Sequence, residues 1–231
     1  MSSIIRTVNL GKVYTSGNIE TIALRDINLT VREGEFVSIM GPSGCGKSTL
    51  LHLLALMDKP SSGELYFMEQ PTTHLSDKQR AALRRYYIGF VFQSFNLIEE
   101  LTVAENIALP LIYQRIPEAE RIRRVNQVME QLDVAHKGHF YPMQLSGGHQ
   151  QRVAVARAIV ARPRILFADE PTGNLDSQHG LEVMEILSDL NHEQGTTIVM
   201  VTHSPQYAEF SQRTIHLFDG QVVSGAISQF R

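Results

Sequence analysis

The chain has 231 residues, 21 basic and 24 acidic side chains, a formal charge of −3 and one cysteine. That length suits one large α/β domain or a core with a small subdomain, and without a basic excess nucleic acid is not an expected partner. The lone Cys45 excludes an internal disulfide and fits a reducing compartment; no apolar run approaches the roughly 18 residues that span a bilayer, and Met1-Ser2-Ser3 begins no secretory leader.

In chain order, Ile4 to Val13 and Thr21 to Val31 carry β-branched residues in partial alternation, which predicts two strands around a Ser16-Gly17-Asn18 turn. Phe36 to Met40 reads as a buried strand and runs into Gly41-Pro42-Ser43-Gly44-Cys45-Gly46-Lys47-Ser48. This octapeptide fits G-x-x-x-x-G-K-[ST], and a helix is predicted from Thr49 to Met57. Strand, glycine-rich loop and helix form a phosphate cradle: glycines let the backbone approach the phosphates, and the helix N-terminus favours negative charge. Lys47 is then expected at the β- and γ-phosphates, with the Ser48 hydroxyl on Mg²⁺. Cys45 is either a small residue at a permissive position or a thiol whose oxidation would obstruct the loop, and the sequence leaves both open.

Beyond the loop, Pro60-Ser61-Ser62-Gly63 predicts a turn into a strand over Glu64 to Met68. Ser76 is the expected N-cap of a polar helix reaching about Arg85, and Ile88 to Phe92 reads as a core strand ending at Gln93. The spacing then turns helical. Helices are predicted over Val103 to Leu111 (stopped or kinked near Pro110), Glu118 to Leu132 and Gly147 to Ala161. In the second, Ile122, Val125, Val128, Met129 and Leu132 share a face, opposite a solvated cluster of Arg121, Arg123 and Arg124. Strand character returns at Arg164 to Ala168, Thr197 to Val201 and Thr214 to Phe218, with a helix from Gln178 to about Glu193. The pattern predicts a mainly parallel α/β core interrupted by an all-helical insert. Asp169 and Glu170 follow a buried strand; an acid there holds Mg²⁺ in phosphate-loop enzymes, and Glu170, pointing the other way, is placed to act as a general base. His52, His136, His139 and His192 show no metal-ligand spacing.

With Leu145-Ser146-Gly147-Gly148-His149 added, the chain resembles the ATP-binding-cassette (ABC) ATPases over essentially its whole length. That segment is similar to the family signature Leu-Ser-Gly-Gly-Gln, departing from it at His149. Tyr14 resembles the aromatic that stacks on adenine, Gln93 the Q-loop glutamine, Gly173-Asn174-Leu175-Asp176 the D-loop, and His203 the switch histidine. In isolation Gln93 reads as a solvated loop residue, His203 as a capping histidine and Tyr14 as a packed one.

The resemblance implies a phosphate-loop, RecA-like α/β core with an N-terminal antiparallel β subdomain and an all-helical signature subdomain, divided as 1–93 with 162–231 and 94–161. It implies ATP and Mg²⁺ as cofactors. ATP would be held by Tyr14, by Gly41 through Thr49 and, from a second copy, by Ser146, Gly147, Gly148, His149 and Asp176, so that two chains sandwich two nucleotides; Mg²⁺ would be held by Ser48, Gln93 and Asp169. Catalysis would fall to Lys47, Gln93, Glu170 and His203. At His149 the imidazole either matters to turnover through its charge near neutral pH or is neutral in effect.

The expected partners are a second copy and a separate integral membrane permease, with Phe95-Asn96-Leu97-Ile98 as the apolar edge that receives it. The chain would then sit peripherally on the cytoplasmic side of the cell membrane. The stretches 89–97, 101–107 and 169–177 look like the lipoprotein-release and macrolide/peptide-export branch. That branch pairs with FtsX/MacB-like permeases of few spans, in some cases joined to a periplasmic or extracellular adaptor. Import ATPases of the amino-acid type and the cell-division ATPase are the alternatives, followed by a soluble ABC ATPase.

Overall fold

A computed structural model describes residues 2–17 and 19–223, so Asn18 of the expected first turn lies outside the described residues. Eleven strands and seven α-helices form among them. Strands β1 (Ser3–Ser16), β2 (Ile19–Ile27), β3 (Thr30–Arg32), β5 (Ser62–Phe67) and β6 (Gln70–Pro71) make an antiparallel sheet in the order β2-β1-β5-β6, with β3 also on β1. The expected single strand from Thr21 to Val31 is thus two. Asp26 enters the left-handed region (φ 52°), and Asn28 leaves the ladder to bond the Asn9 side chain at 3.0 Å, so the chain changes its position along β1 there.

The second sheet has the order β11-β10-β4-β9-β8-β7, from β4 (Phe36–Met40), β7 (Ile88–Val91), β8 (Ile165–Asp169), β9 (Thr197–Val201), β10 (Arg213–Phe218) and β11 (Gln221–Val223). All neighbours are parallel except the β10–β11 hairpin. Alternation along the central strands splits the interior into two cores. Phe36, Leu166, Ala168, Ile198 and Met200 face one, whereas Val37, Ile39, Ile165, Phe167, Val199 and Val201 face the other. A parallel sheet covered on both faces explains why its strands read as continuous apolar runs.

The second core also takes in α1 (Lys47–Leu54) and the antiparallel sheet. The first takes in α3 (Val103–Tyr113), α4 (Glu118–Gln131), α5 (Gly147–Ile159) and α6 (Ser177–His192). Helix α2 (Asp77–Tyr87) opens with a capping box in which Ser76 accepts from the Gln79 amide, and α7 (Pro205–Ala208) is a single turn. Helix α3 passes through Pro110 and continues to Tyr113 rather than stopping, because Val103, Ile107 and Leu111 anchor it on both sides of the proline. In α4 the buried face is Val125, Val128 and Met129, continued by Leu132, but Ile122 is 55 % exposed: its expected place on that face is wrong. The arginines of α4 are held locally, Arg123 and Arg124 by Glu120 and Arg121 by the Ile116 carbonyl.

Candidate nucleotide site

Parallel alignment brings four loops to one edge. The register pairs Ile39 with Val201, Val201 with Asp169, and Ala168 with Val91, so the chain leaves β4, β9, β8 and β7 side by side. Crevices beyond the carboxyl ends of parallel strands are where such sheets bind ligands.

The loop after β4 is built on its glycines. At Gly46 the backbone has φ 103° and an added Cβ would lie 2.6 Å from the Ala23 carbonyl oxygen, so only glycine permits this turn. Helix α1 begins directly after it, at Lys47 rather than Thr49 as expected, and no side chain caps it. Its first-turn N–H groups are therefore offered to an external anion. Lys47 is 8 % exposed; its ammonium donates to the carbonyls of Gly41 at 2.9 Å and Pro42 at 2.8 Å, and among the described residues it pairs with no carboxylate. Such a cation suits an incoming phosphate. Cys45 is buried against Gly41, and burial pushes its thiol pKa up, which opposes thiolate chemistry.

Ser48 Oγ donates to Asp169 Oδ1 at 3.1 Å, joining the loop to the end of β8. Burial pushes the Asp169 carboxyl pKa up, despite the Ser48 bond. A half-desolvated acid beside a hydroxyl is a donor set of hard oxygens, which fits Mg²⁺. Glu170 takes φ 44°, its amide donating to Val201 O at 3.0 Å. Left-handed backbone at a non-glycine residue costs roughly 1–2 kcal/mol and turns the side chain out of the strand alternation. Here it puts Glu170 Oε2 3.2 Å from His203 Nδ1, across from the end of β9.

Gln93 is exposed after β7 and is held from the loop beyond β8: Asn174 Nδ2 donates to Gln93 O at 3.0 Å, and a Cβ at Gly173 would meet Gln93 Nε2 at 2.7 Å. Lys47, Ser48, Asp169, Glu170, His203 and Gln93 thus gather at one edge. Tyr14 lies on the β1–β2 hairpin, 43 % exposed, its hydroxyl donating to Asp58 at 3.1 Å; Lys12 stands 4.8 Å over its ring and pairs with Asp58 at 2.7 Å. Composition around Tyr14 gave no hint of this Lys12–Asp58 support, because Asp58 is 44 residues away in sequence.

Ser146 caps α5, accepting from the His149 amide at 3.4 Å. Asp176 caps α6, accepting from the amides of Gln178 and His179 at 3.0 Å, and pairs with His179 Nδ1 at 2.5 Å. The two helix starts adjoin. A Cβ at Gly148 would lie 2.4 Å from His179 Cδ2, and one at Gly147 would lie 3.5 Å from Leu175 Cδ2. Among the described residues no hydrogen bond or ion pair joins residues 146–149 to the loop at 41–49. His179 and Gln151, whose side-chain amide donates to Pro171 O at 2.6 Å, were not singled out from the sequence; His179 was legible only as a polar residue three after Asp176.

The ABC transporter family pattern matches residues 24–173. An uncharacterised ABC transporter ATP-binding protein of Methanocaldococcus jannaschii is 49 % identical over 95 % of this chain and 97 % of its own. The lipoprotein-releasing system ATP-binding protein LolD of Geobacter metallireducens is 42 % identical over 97 % of this chain and 100 % of its own. The macrolide export ATP-binding/permease protein MacB of Azoarcus is 44 % identical over 96 % of this chain, which spans 34 % of that longer protein. A dimeric structure of the ATP-binding cassette MJ0796, in a post-hydrolysis state bound to ADP and Pi, superposes with a TM-score of 0.89 at 44 % identity over 98 % of this chain and 100 % of its own.

Proposed function

The chain belongs to the ABC transporter family and is an ATPase of that family, and from this premise we propose that it drives a separate membrane permease by ATP-dependent pairing of two copies. Each nucleotide would lie between Gly41 through Thr49 of one copy and Ser146 to His149 of the other, with Tyr14 against the base and Asp176 beside the shared site. The observation that carries this reading is the gathering of Lys47, the Ser48–Asp169 pair and the Glu170–His203 pair on adjoining strand ends, with the Ser146 turn held apart. A single copy holds both halves of a site without joining them. Head-to-tail pairing about a two-fold axis joins them twice.

Within that site Lys47 and the α1 amides bind the phosphates, and Gln93, reached from the loop beyond β8, links the site to the helical region. Ser48, Asp169 and Gln93 would hold Mg²⁺, which when bound supplies charge stabilisation to the phosphate oxygens. Glu170 Oε2 accepts the proton of an attacking water, and His203, hydrogen-bonded to it, fixes its orientation and reaches the γ-phosphate. We take the division into 1–93 with 162–231 and 94–161 as the two bodies that move on ATP binding. Export or mechanical transmission, as in lipoprotein release or macrolide efflux, is the mode we favour, from the likeness to LolD and MacB. The chain would work from the cytoplasmic face, a reading supported by the likeness to LolD and MacB; no described helix is long and apolar enough to cross a membrane.

Glu170→Gln tests this. Loss of the base costs about a hundredfold or more in turnover, while the preserved shape leaves an ATP-bound dimer stable enough to resolve by size-exclusion chromatography. Hydrolysis near the wild-type rate would remove Glu170 from the role of base.

A further inference from the structure

One oxygen in the signature turn meets two groups of the same residue. Ser146 Oγ accepts from the His149 amide at 3.4 Å and lies 2.7 Å from His149 Nδ1. A hydroxyl has one proton and two acceptor positions, and the imidazole nitrogen is an acceptor when bare and a donor when protonated. With a neutral ring whose proton sits on Nε2, Ser146 O–H points at Nδ1 and only a lone pair faces outward, which repels a phosphate oxygen. With a charged ring, the amide and Nδ1–H occupy both acceptor positions. The hydroxyl proton must then turn outward, where a phosphate accepts it.

We propose that His149 is a positioning residue that sets the direction of the Ser146 O–H, presenting a donor to the nucleotide of the partner copy when the ring is charged and withdrawing it when neutral. The inference rests on the nucleotide-sandwich reading given above.

The surroundings fix the sign. Burial first, then the positive charges of Lys137, Arg152 and His136, hold the His149 pKa below the ordinary histidine value, opposed by Asp133. The His136 ring stands edge-on at 6.2 Å. Arg152 lies 2.9 Å from Glu182 of α6 and 3.7 Å from Asp133, so its charge is shared. From α6, His179 packs on Gly148 but is engaged by Asp176 at 2.5 Å. In the free chain the ring is therefore mainly neutral at pH 7, and with its proton on Nε2 the hydroxyl is turned inward. A phosphate seated at the turn favours the charged ring, so closing the sandwich takes up a proton and closure strengthens as pH falls.

The experiment compares ATP-driven association of Glu170→Gln with that of the same variant carrying His149→Gln, by analytical ultracentrifugation with Mg²⁺ from about pH 5.5 to about pH 8.5, a span bracketing histidine titration. Glutamine keeps hydrogen-bonding capacity but cannot be charged. The expected result is a dissociation constant that rises about tenfold more across the range with His149 than with glutamine, the difference between charged and neutral hydrogen bonds. Imidazole-nitrogen NMR of the histidine-labelled free chain, assigned with His149→Gln, is expected to show the Nε2–H tautomer at neutral pH. Superimposable pH profiles, or an Nδ1–H tautomer, overturn the inference and leave the sandwich standing. Absence of any ATP-driven dimer in either protein at every pH overturns both.

Discussion

At the scale of single residues, Lys47 is the side chain whose surroundings most directly demand a ligand. The residue is nine-tenths buried, and its ammonium is bonded to two carbonyls of its own loop, which provide dipoles but no compensating charge. A buried cation without an anion is costly, and an arriving phosphate removes the cost. Lys47→Ala is therefore expected to weaken ATP binding by about 1.5–3 kcal/mol, roughly tenfold to a hundredfold in Kd, measured calorimetrically; an unchanged Kd would show that the ammonium does not face the nucleotide. The spacing G-x-x-x-x-G-K-[ST] made this residue legible, because loop closure on a phosphate dictates which positions are glycine and which is the cation. The conformation of Glu170 was not legible. Nothing in Ala168-Asp169-Glu170 encodes a φ of 44°, which arises from the Glu170 amide bonding across to Val201 O.

At the scale of elements, the segment between β7 and α3 depends on one side chain. Asn106 is fully buried: its side-chain oxygen accepts from the Ile98 amide at 2.8 Å, and its two N–H protons are shared among the carbonyls of Ile98, Leu101 and Thr102, each at 3.0 Å. It thereby ties the chain that follows Gln93 to the first turn of α3. Asn106→Leu keeps the branched heavy-atom shape but strands a buried amide and carbonyls, so a loss of about 2–3 kcal/mol is expected. In a chain of this size that lowers Tm by roughly 5–10 °C in a thermal scan; an unaltered Tm would mean that water replaces the amide. Apolar periodicity located α3, α4 and α5, since each buries a stripe in the first core. It failed where tertiary contacts override local preference. Pro110 lacks the N–H that would have reached Asn106, yet packing carries α3 onward to Tyr113. Ile122 fits the apolar stripe by spacing, but α4 turns it to solvent. The break between β2 and β3 depended on a long-range Asn9–Asn28 pairing that no local pattern reveals.

At the scale of the whole molecule, the side chains that would bind phosphate gather at one strand edge and must be coupled to the surface that would meet a membrane partner. Arg157 of α5 links the two regions, donating to the carbonyls of Asn96 at 2.6 Å and Phe95 at 2.8 Å, just beyond Gln93. Both residues have left-handed backbone, φ 49° and 59°, so the segment is held in a bent form by the same helix that starts at Ser146. If α5 moves toward a partner's nucleotide, as proposed, these bonds would draw the 94–98 segment with it. A hollow of about 310 Å³ opens there, lined by Phe95, Asn96, Leu97 and Met143 among others. Met143 is 82 % exposed and Ile98 42 %, whereas Leu97 is half-buried and packs against the first core. Leu97 is thus a poor probe of docking, since an aspartate there would also disturb the fold. Met143→Asp and Ile98→Asp remove apolar contact from solvent-exposed positions alone. Each is expected to abolish co-purification of a permease from detergent-solubilised membranes while leaving the Kd for ATP within roughly twofold, the usual effect of a surface substitution. Retention of the permease by both variants would move its seat away from this hollow, which Met143 lines, and from the adjoining Ile98. Loss of ATP binding in parallel would instead mean that the 94–98 segment serves the nucleotide directly, with α5 and the loop beyond β8 acting as a single closing jaw.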